Sequence, residues 1–164
     1  MIIVNDKMQS GYIYKRICPQ GKEFAKEFKP ELSPEEMLKM GVFEGKYLCD
    51  CKKEFPASWF DNAKLSPLKP DASLNFFGVK SRQSLQIWRD KGWILEPDPR
   101  GWFQWYCRYY MGRRIESVDK VQIKRWKSFR RHQAQVIKNC IPMDIECRAK
   151  QRQALLQWAY NPLV

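Results

Sequence analysis

Between Gly45 and Phe60 the chain gathers the side chains best suited to chemistry. Lys46, Asp50 and Glu54 offer an amine and two carboxylates for acid, base or metal work, and Trp59 and Phe60 offer rings that could insert beside a base. The stretch reads as a loop, and functional groups often sit on loops held by a scaffold. The same residues have plainer uses: Lys46 and Glu54 as solvated charges, Asp50 as a local cap, Trp59 and Phe60 as core. Cys49 and Cys51 could in principle join Cys140, Cys147 or His132 around zinc. Structural zinc uses ligand pairs two to four residues apart, however, and only one residue separates Cys49 from Cys51, so free buried thiols are the expectation. No Gly-rich phosphate loop, nucleophile elbow or His-Glu-x-x-His string is present, and neither a metal nor a cofactor is expected.

Charge is the stronger signal. The 164 residues carry a formal net charge of +12, which favours a polyanionic partner, nucleic acid before membrane. Residues 98–164 hold fourteen Lys or Arg against five Asp or Glu, so most of the excess lies there. Within a helix expected over Ser117 to Cys140, Lys120, Lys124, Lys127, Arg131 and Lys138 fall in one narrow arc. Val118, Val121, Trp126, Phe129, Val136, Ile137 and Cys140 fall on the other side. Like charges in line with no interleaved acid repel one another and gain from a polyanion. Arg125 points toward the apolar side and needs a carboxylate or carbonyl partner. His132, the single histidine, is expected to be a hydrogen-bonded packing residue.

The element that must position these groups is Asp98 to Arg114. Pro99 suits a helix entry and Gly112 an exit, bounding a helix at roughly Gly101 to Met111. Its aromatic residues leave only Gln104 and Arg108 as a polar strip, so other elements should surround it. Part of the aromatic set, Trp102 and Tyr106 above all, could instead face out as a stacking platform, with Arg100, Arg108, Arg113 and Arg114 on phosphates.

Ahead of that helix, Leu74 to Val79 is expected to end one short helix. Ser81 is expected to cap a second, Arg82 to Lys91, that stops at Gly92. Leu85, Ile87 and Trp88 would face inward, leaving Arg82, Gln83, Gln86 and Arg89 outward, side chains suited to base edges and phosphates. The run Gly78-Val-Lys-Ser-Arg-Gln-Ser-Leu-Gln-Ile-Trp-Arg-Asp-Lys-Gly-Trp-Ile resembles the helix-turn-helix of small excisionase-like and MerR-like DNA-binding domains. Those read Gly-Val-Ser-Arg before an apolar helix; here Lys80 is an extra residue in the turn. The resemblance implies a DNA-reading helix over residues 82–91.

Elsewhere, Met1 to Val4 and Tyr12 to Ile17 suggest a hairpin within a 1–30 arm, and Gly21 to Phe28 a turn of helix. Ser33-Pro-Glu-Glu starts a helix that Gly41 ends. After Pro142, Asp144 is expected to cap a last helix to about Tyr160, with Ile145, Ala149, Leu155, Leu156 and Ala159 inward and Arg148, Lys150 and Arg152 extending the positive surface. The fold expected is mainly α: one domain over 1–164 around the central aromatic helix, with a small β element near the N-terminus, a helix-turn-helix-like unit at 71–94 and a basic aromatic core at 98–160. The whole chain also resembles a family of uncharacterised proteins. The likeness is carried by Asp-Pro-Arg-Gly-Trp-Phe-Gln-Trp-Tyr-Cys-Arg-Tyr-Tyr-x-Gly-Arg-Arg and by Arg-Gln-Ala-Leu-Leu-x-Trp-Ala-Tyr at Arg152 to Tyr160. That resemblance implies a single domain and transfers no activity.

The expected function is therefore nucleic-acid binding, to DNA first, through the basic stripe. The alternatives are a nucleic-acid-processing enzyme, a nuclease or a base-excision glycosylase of DNA repair using Lys46, Asp50 and Glu54, and a module for an acidic protein. No apolar run approaches the roughly 18 residues of a membrane span. Irregularly spaced cysteines and no leader-like segment at the N-terminus point to a reducing, intracellular setting, cytoplasm or nucleus.

Overall fold

The computed structural model describes residues 1–164. A hairpin of β1 (Ile2–Asn5) and β2 (Ser10–Tyr14) leads to α1 (Pro34–Met40), then a long segment of 3-10 turns, then α2 (Leu85–Asp90), α3 (Trp102–Tyr110), α4 (Glu116–Ser128), α5 (Arg130–Asn139) and α6 (Ala149–Gln157). The mainly helical class, the N-terminal hairpin and the central aromatic helix are as expected.

Trp102 to Tyr109 of α3 are all buried. Gly101 precedes α3 at φ +96°, and Gly112 follows at φ +111°, where a Cβ would lie 2.0 Å from the Cys18 carbonyl oxygen. The first positive φ lets the chain enter below Trp88, and the second lets it pass against the backbone of Ile17 and Cys18, whose amides bond the Gly112 carbonyl. Around α3 the rings interlock: Phe28 makes edge contacts with Tyr106, Tyr109 and Trp126, and Trp126 stacks on Tyr160 at 5.0 Å. Most of their polar tips are satisfied, as buried rings of this kind require, the Trp126 indole N–H being the exception. Trp105 Nε1 donates to Asp119 at 2.8 Å, Tyr106 donates to the Leu32 carbonyl at 2.6 Å, and the Tyr160 hydroxyl donates to the Trp126 carbonyl. The aromatic helix is thus core, as its composition implied.

Local signals placed α1. Ser33 accepts from the Glu36 amide while Glu36 accepts from the Ser33 amide, a reciprocal cap, and Gly41 ends the helix at φ +115°. The antiparallel hairpin pairs Ile2 with Tyr14 and Val4 with Tyr12, burying Val4 and Tyr14 and leaving Ile3 and Ile13 out.

Several expectations are corrected. Gly21 to Phe28 forms turns rather than helix. The helical hairpin at 71–94 does not form: its first arm is a 3-10 turn, Ala72–Leu74, and its second is only the six residues of α2. The cap is Ser84 rather than Ser81, because Ser81 donates to the Lys150 carbonyl and Arg82 is drawn to Glu44. The Ser117–Cys140 helix is two helices meeting at Phe129, whose amide bonds the Trp126 carbonyl three residues back. The buried face of α4 holds Asp119 and Gln122 beside Val118, Ile123 and Trp126. That rotates Val121 outward, and Ile137 is exposed on α5. At the last helix Asp144 is not the cap: residues 141–146 are exposed, Ile145 included, and α6 begins after Arg148 in the left-handed conformation. Arg152 is not surface. It is fully buried, donating to the carbonyls of Cys147, Pro162 and Val164.

Candidate functional site

The acids expected to do chemistry do converge, but on arginines. Glu54 accepts from Arg108 Nε and Nη2 at 2.7 and 2.9 Å and from the Tyr14 hydroxyl at 2.7 Å. Asp98 takes Arg108 at 3.1 Å and Arg113 through both of its oxygens at 2.8 and 2.6 Å. Arg100 reaches Asp50 at 2.8 Å and Asp6 at 3.3 Å. Tyr12 and Tyr14 cover the Arg108 guanidinium from the hairpin side. Burial alone would weaken the proton on Arg108, but the hydrogen bond and charge of Glu54, with Asp98 behind them, hold it more firmly than usual. Desolvation likewise works against the charge on Asp50, and the Arg100 hydrogen bond and charge outweigh it, leaving that carboxyl below its ordinary range.

This is a closed ion network that fastens the hairpin and the 50–54 turn to α3. Arg100, Arg108 and Arg113 are buried and committed to carboxylates, so they do not face phosphate. Arg114 donates to the carbonyls of Tyr109, Arg113, Lys22 and Glu23 and lies over the Tyr109 ring. Lys46 donates to the Pro67 carbonyl, apart from the two acids. The proposed stacking rings Trp59, Trp102 and Tyr106 are buried, and Phe60 is half-buried under Lys52, so none of the four stands out as a platform. No group of three His, Cys, Asp or Glu is arranged to hold a metal.

The cysteines divide. Burial pushes the Cys51 thiol up to about 12 and the Cys107 thiol well above its usual value. Cys140 and Cys147, expected as free thiols, are joined in a disulfide between α5 and the start of α6. The cysteine pattern therefore no longer argues for a reducing compartment. No helix is long and apolar enough to cross a membrane.

The basic stripe has the opposite character to the buried network. Lys120, Lys124 and Lys127 on α4 and Arg131 and Lys138 on α5 are all exposed, and none pairs with a carboxylate. Arg148 and Lys150 are exposed beyond them. Arg125 turns inward and finds the carbonyl partner its position demanded, donating to Trp93 O at 2.7 Å and to Gln122. His132 packs on Phe129 at 4.3 Å and shares a hydrogen bond with Gln151 through Nδ1. Burial and the neighbouring Arg131 charge push its pKa down, so it is neutral at pH 7.

No known family, curated protein or solved structure matches the chain. The two resemblances noted in the sequence therefore rest on the residues that carry them, and the site must be argued from its own geometry.

Where α4 meets α5, the cationic face opens into a cleft of about 410 Å³ between the 81–94 segment, the start of α3 and the end of α6. Trp102 lies 4.7 Å from Trp158, Trp158 stacks on Phe129 at 5.1 Å, and Phe129 continues to His132. Trp88 and Trp93 line the same space, with Arg82, Arg125 and Arg131, and no carboxylate does. Of the expected base-reading set, Arg82 and Gln83 reach this cleft. Gln86 is tied to Asp90, and Arg89 is exposed outside it. Sequence reading placed Trp88 inward and singled out neither Trp93 nor Trp158. The available signal was Trp93 itself, a large ring directly after the Gly92 helix stop with no apolar repeat to bury it.

Proposed function

We propose that this protein binds nucleic acid, DNA first, along the cationic ridge formed by Lys120, Lys124, Lys127, Arg131 and Lys138. The observation that carries the reading is the contrast in how cations are used. Every guanidinium buried around Asp98 and Glu54 has its acid, whereas these five exposed cations have none. Such a ridge neutralises phosphates and releases condensed counterions, so affinity should fall steeply with salt. The enzyme alternative finds no support, because Asp50 and Glu54 are spent on Arg100 and Arg108.

The test is a binding titration of labelled DNA and RNA across a salt series. Lys124→Glu/Lys127→Glu/Arg131→Glu is compared with Lys22→Glu/Lys26→Glu/Lys29→Glu, which changes net charge equally on exposed residues elsewhere. Loss of three phosphate contacts should lower the log–log salt slope by about 2 to 3 units in the ridge variant. The control variant should keep a slope near that of the unmodified protein. Equal losses in both would reduce the effect to bulk charge, and no binding by the unmodified protein at low salt would remove the proposal.

A further inference from the structure

We propose that the aromatic cleft at the α4–α5 joint is a nucleobase site, holding one unpaired base of a single strand whose backbone lies on the ridge. The inference rests on the ridge reading and adds to it the strand type and the place where a base goes.

The chemistry of the lining selects the occupant. Its rings run inward from His132 through Phe129 and Trp158 to Trp102, and the stack of Phe129 on Trp158 is tilted by only 14°. Trp93 stands at the opening with 44% of its surface still in water, large apolar area that a flat ligand would cover. At about 410 Å³ the cleft falls within the range of small-ligand sites. An aliphatic ligand would have no use for a free guanidinium, and a positively charged one would find no acid in the lining to receive it. A planar ring attached to a phosphate satisfies both halves of the lining. Arg82 is largely spent on Glu44, and Arg125 on the Trp93 carbonyl and Gln122. Arg131 is exposed and has no carboxylate, so it is the cation left for the phosphate.

Arg131 also belongs to the ridge, so a strand following Lys120, Lys124 and Lys127 arrives at the opening of the cleft. Polar groups remain for the base edge. The Gln83 side chain makes no hydrogen bond within the protein, and His132 uses only Nδ1, leaving Nε2 free. A base inside a duplex is stacked on both faces and cannot enter. Single strands offer unstacked bases at no pairing cost, and aromatic stacking accepts any base because each has a π face.

The measurement uses the full chain with single-stranded DNA, single-stranded RNA and duplex DNA of equal length, at one salt concentration where duplex binding is measurable. Trp93→Ala and Trp93→Phe are compared with the unmodified protein, and the single strand also carries 2-aminopurine as a stacking reporter. Single strands should bind more tightly than duplex, with 2-aminopurine emission quenched. Trp93→Ala should lose about 5- to 150-fold on single strands, the range of one lost base–aromatic stack. Its duplex affinity should not change, and Trp93→Phe should recover most of the loss. The DNA and RNA arms decide which sugar the site prefers. Should Trp93→Ala be poorly folded, the unmodified protein still decides the matter: its tryptophan emission should respond to nucleoside monophosphates and not to ribose 5-phosphate. Duplex and single strand bound alike, with Trp93→Ala indistinguishable from the unmodified protein, would overturn the base site and leave the ridge standing. No strand bound at low salt would remove the ridge and the strand together.

Discussion

Asp98 is the most completely buried acid of the network, and its replacement by Asn has a calculable cost. The carboxylate is fully buried and accepts three guanidinium N–H bonds, two from Arg113 at 2.6 and 2.8 Å and one from Arg108 at 3.1 Å. An amide keeps the shape but loses the charge, and it turns an NH2 group toward a donor. Arg108 would retain its two bonds to Glu54. Arg113, only 2% exposed, would keep one bond to the remaining amide oxygen and one to Tyr12, with no carboxylate to balance its charge. Breaking one side of a buried pair costs about 3–5 kcal/mol because a charge is left without partner or water. Total stabilities run about 5–15 kcal/mol, so Asp98→Asn should remove roughly a fifth or more of the fold's margin.

Equilibrium urea unfolding followed by tryptophan emission measures this, with Arg113→Met and Asp98→Asn/Arg113→Met completing a cycle. Removing the orphaned cation as well should recover part of the loss, so the double variant should be more stable than the sum of the single effects implies. A loss below about 1 kcal/mol for Asp98→Asn would match an exposed pair and refute the reasoning.

Two further outcomes follow from the packing. Gly112→Ala places a methyl on the Cys18 carbonyl at φ +111° and should cost well over 2 kcal/mol, whereas Gly11→Ala, at φ +71° with open space, should cost only the ~1–2 kcal/mol of the left-handed conformation; paired thermal melts compare them, and equal losses would contradict the close approach. In a thiol-reagent titration of the native protein at pH 8, Cys51 and Cys107 should stay silent, being buried with pKa values far above that pH, and both should react once the chain is denatured; reaction of either in the native state would contradict the packing of the 51–55 turn on α3.

Much of the fold was legible because its signals are local. Ser33 and Gly41 bound α1 by capping alone, and Asp98-Pro99 and Gly112 bracket α3 within a residue or so. What sequence spacing could not show is competition from distant groups. Arg108 looked like half of a polar strip with Gln104, one turn away, but its strongest acceptor is Glu54, 54 residues away. A helix over 82–91 was reasonable until Ser81 and Arg82 found Lys150 and Glu44 across the molecule. The same applies to the site. The exposure of the five cations was legible, since exposure needs no partner, although the single helix expected to carry them is two. The cleft was not, because Trp88, Trp93, Trp102, Phe129 and Trp158 come from four separate stretches that only the tertiary fold assembles. Nor did spacing single out Asp119 and Gln122, polar residues that α4 nevertheless buries, with Asp119 serving the Trp105 indole.

The two uses of charge belong to one arrangement. The acids that pair with arginines, Asp6, Glu44, Asp50, Glu54 and Asp98, all lie at or before the entry to α3. The helices after α3 are left with exposed cations and no acid partner. In water, two unit charges about 6 Å apart repel by only about 0.7 kcal/mol before screening, so the ridge is cheap for the folded chain to carry. Its energy is realised only when phosphates displace the ion atmosphere of a nucleic acid. The buried pairs are shielded from salt ions, whereas the ridge is in full contact with them. Added salt should therefore weaken binding by orders of magnitude while barely moving the unfolding midpoint, and a protein whose stability and binding fell together with salt would have its charges arranged in some other way.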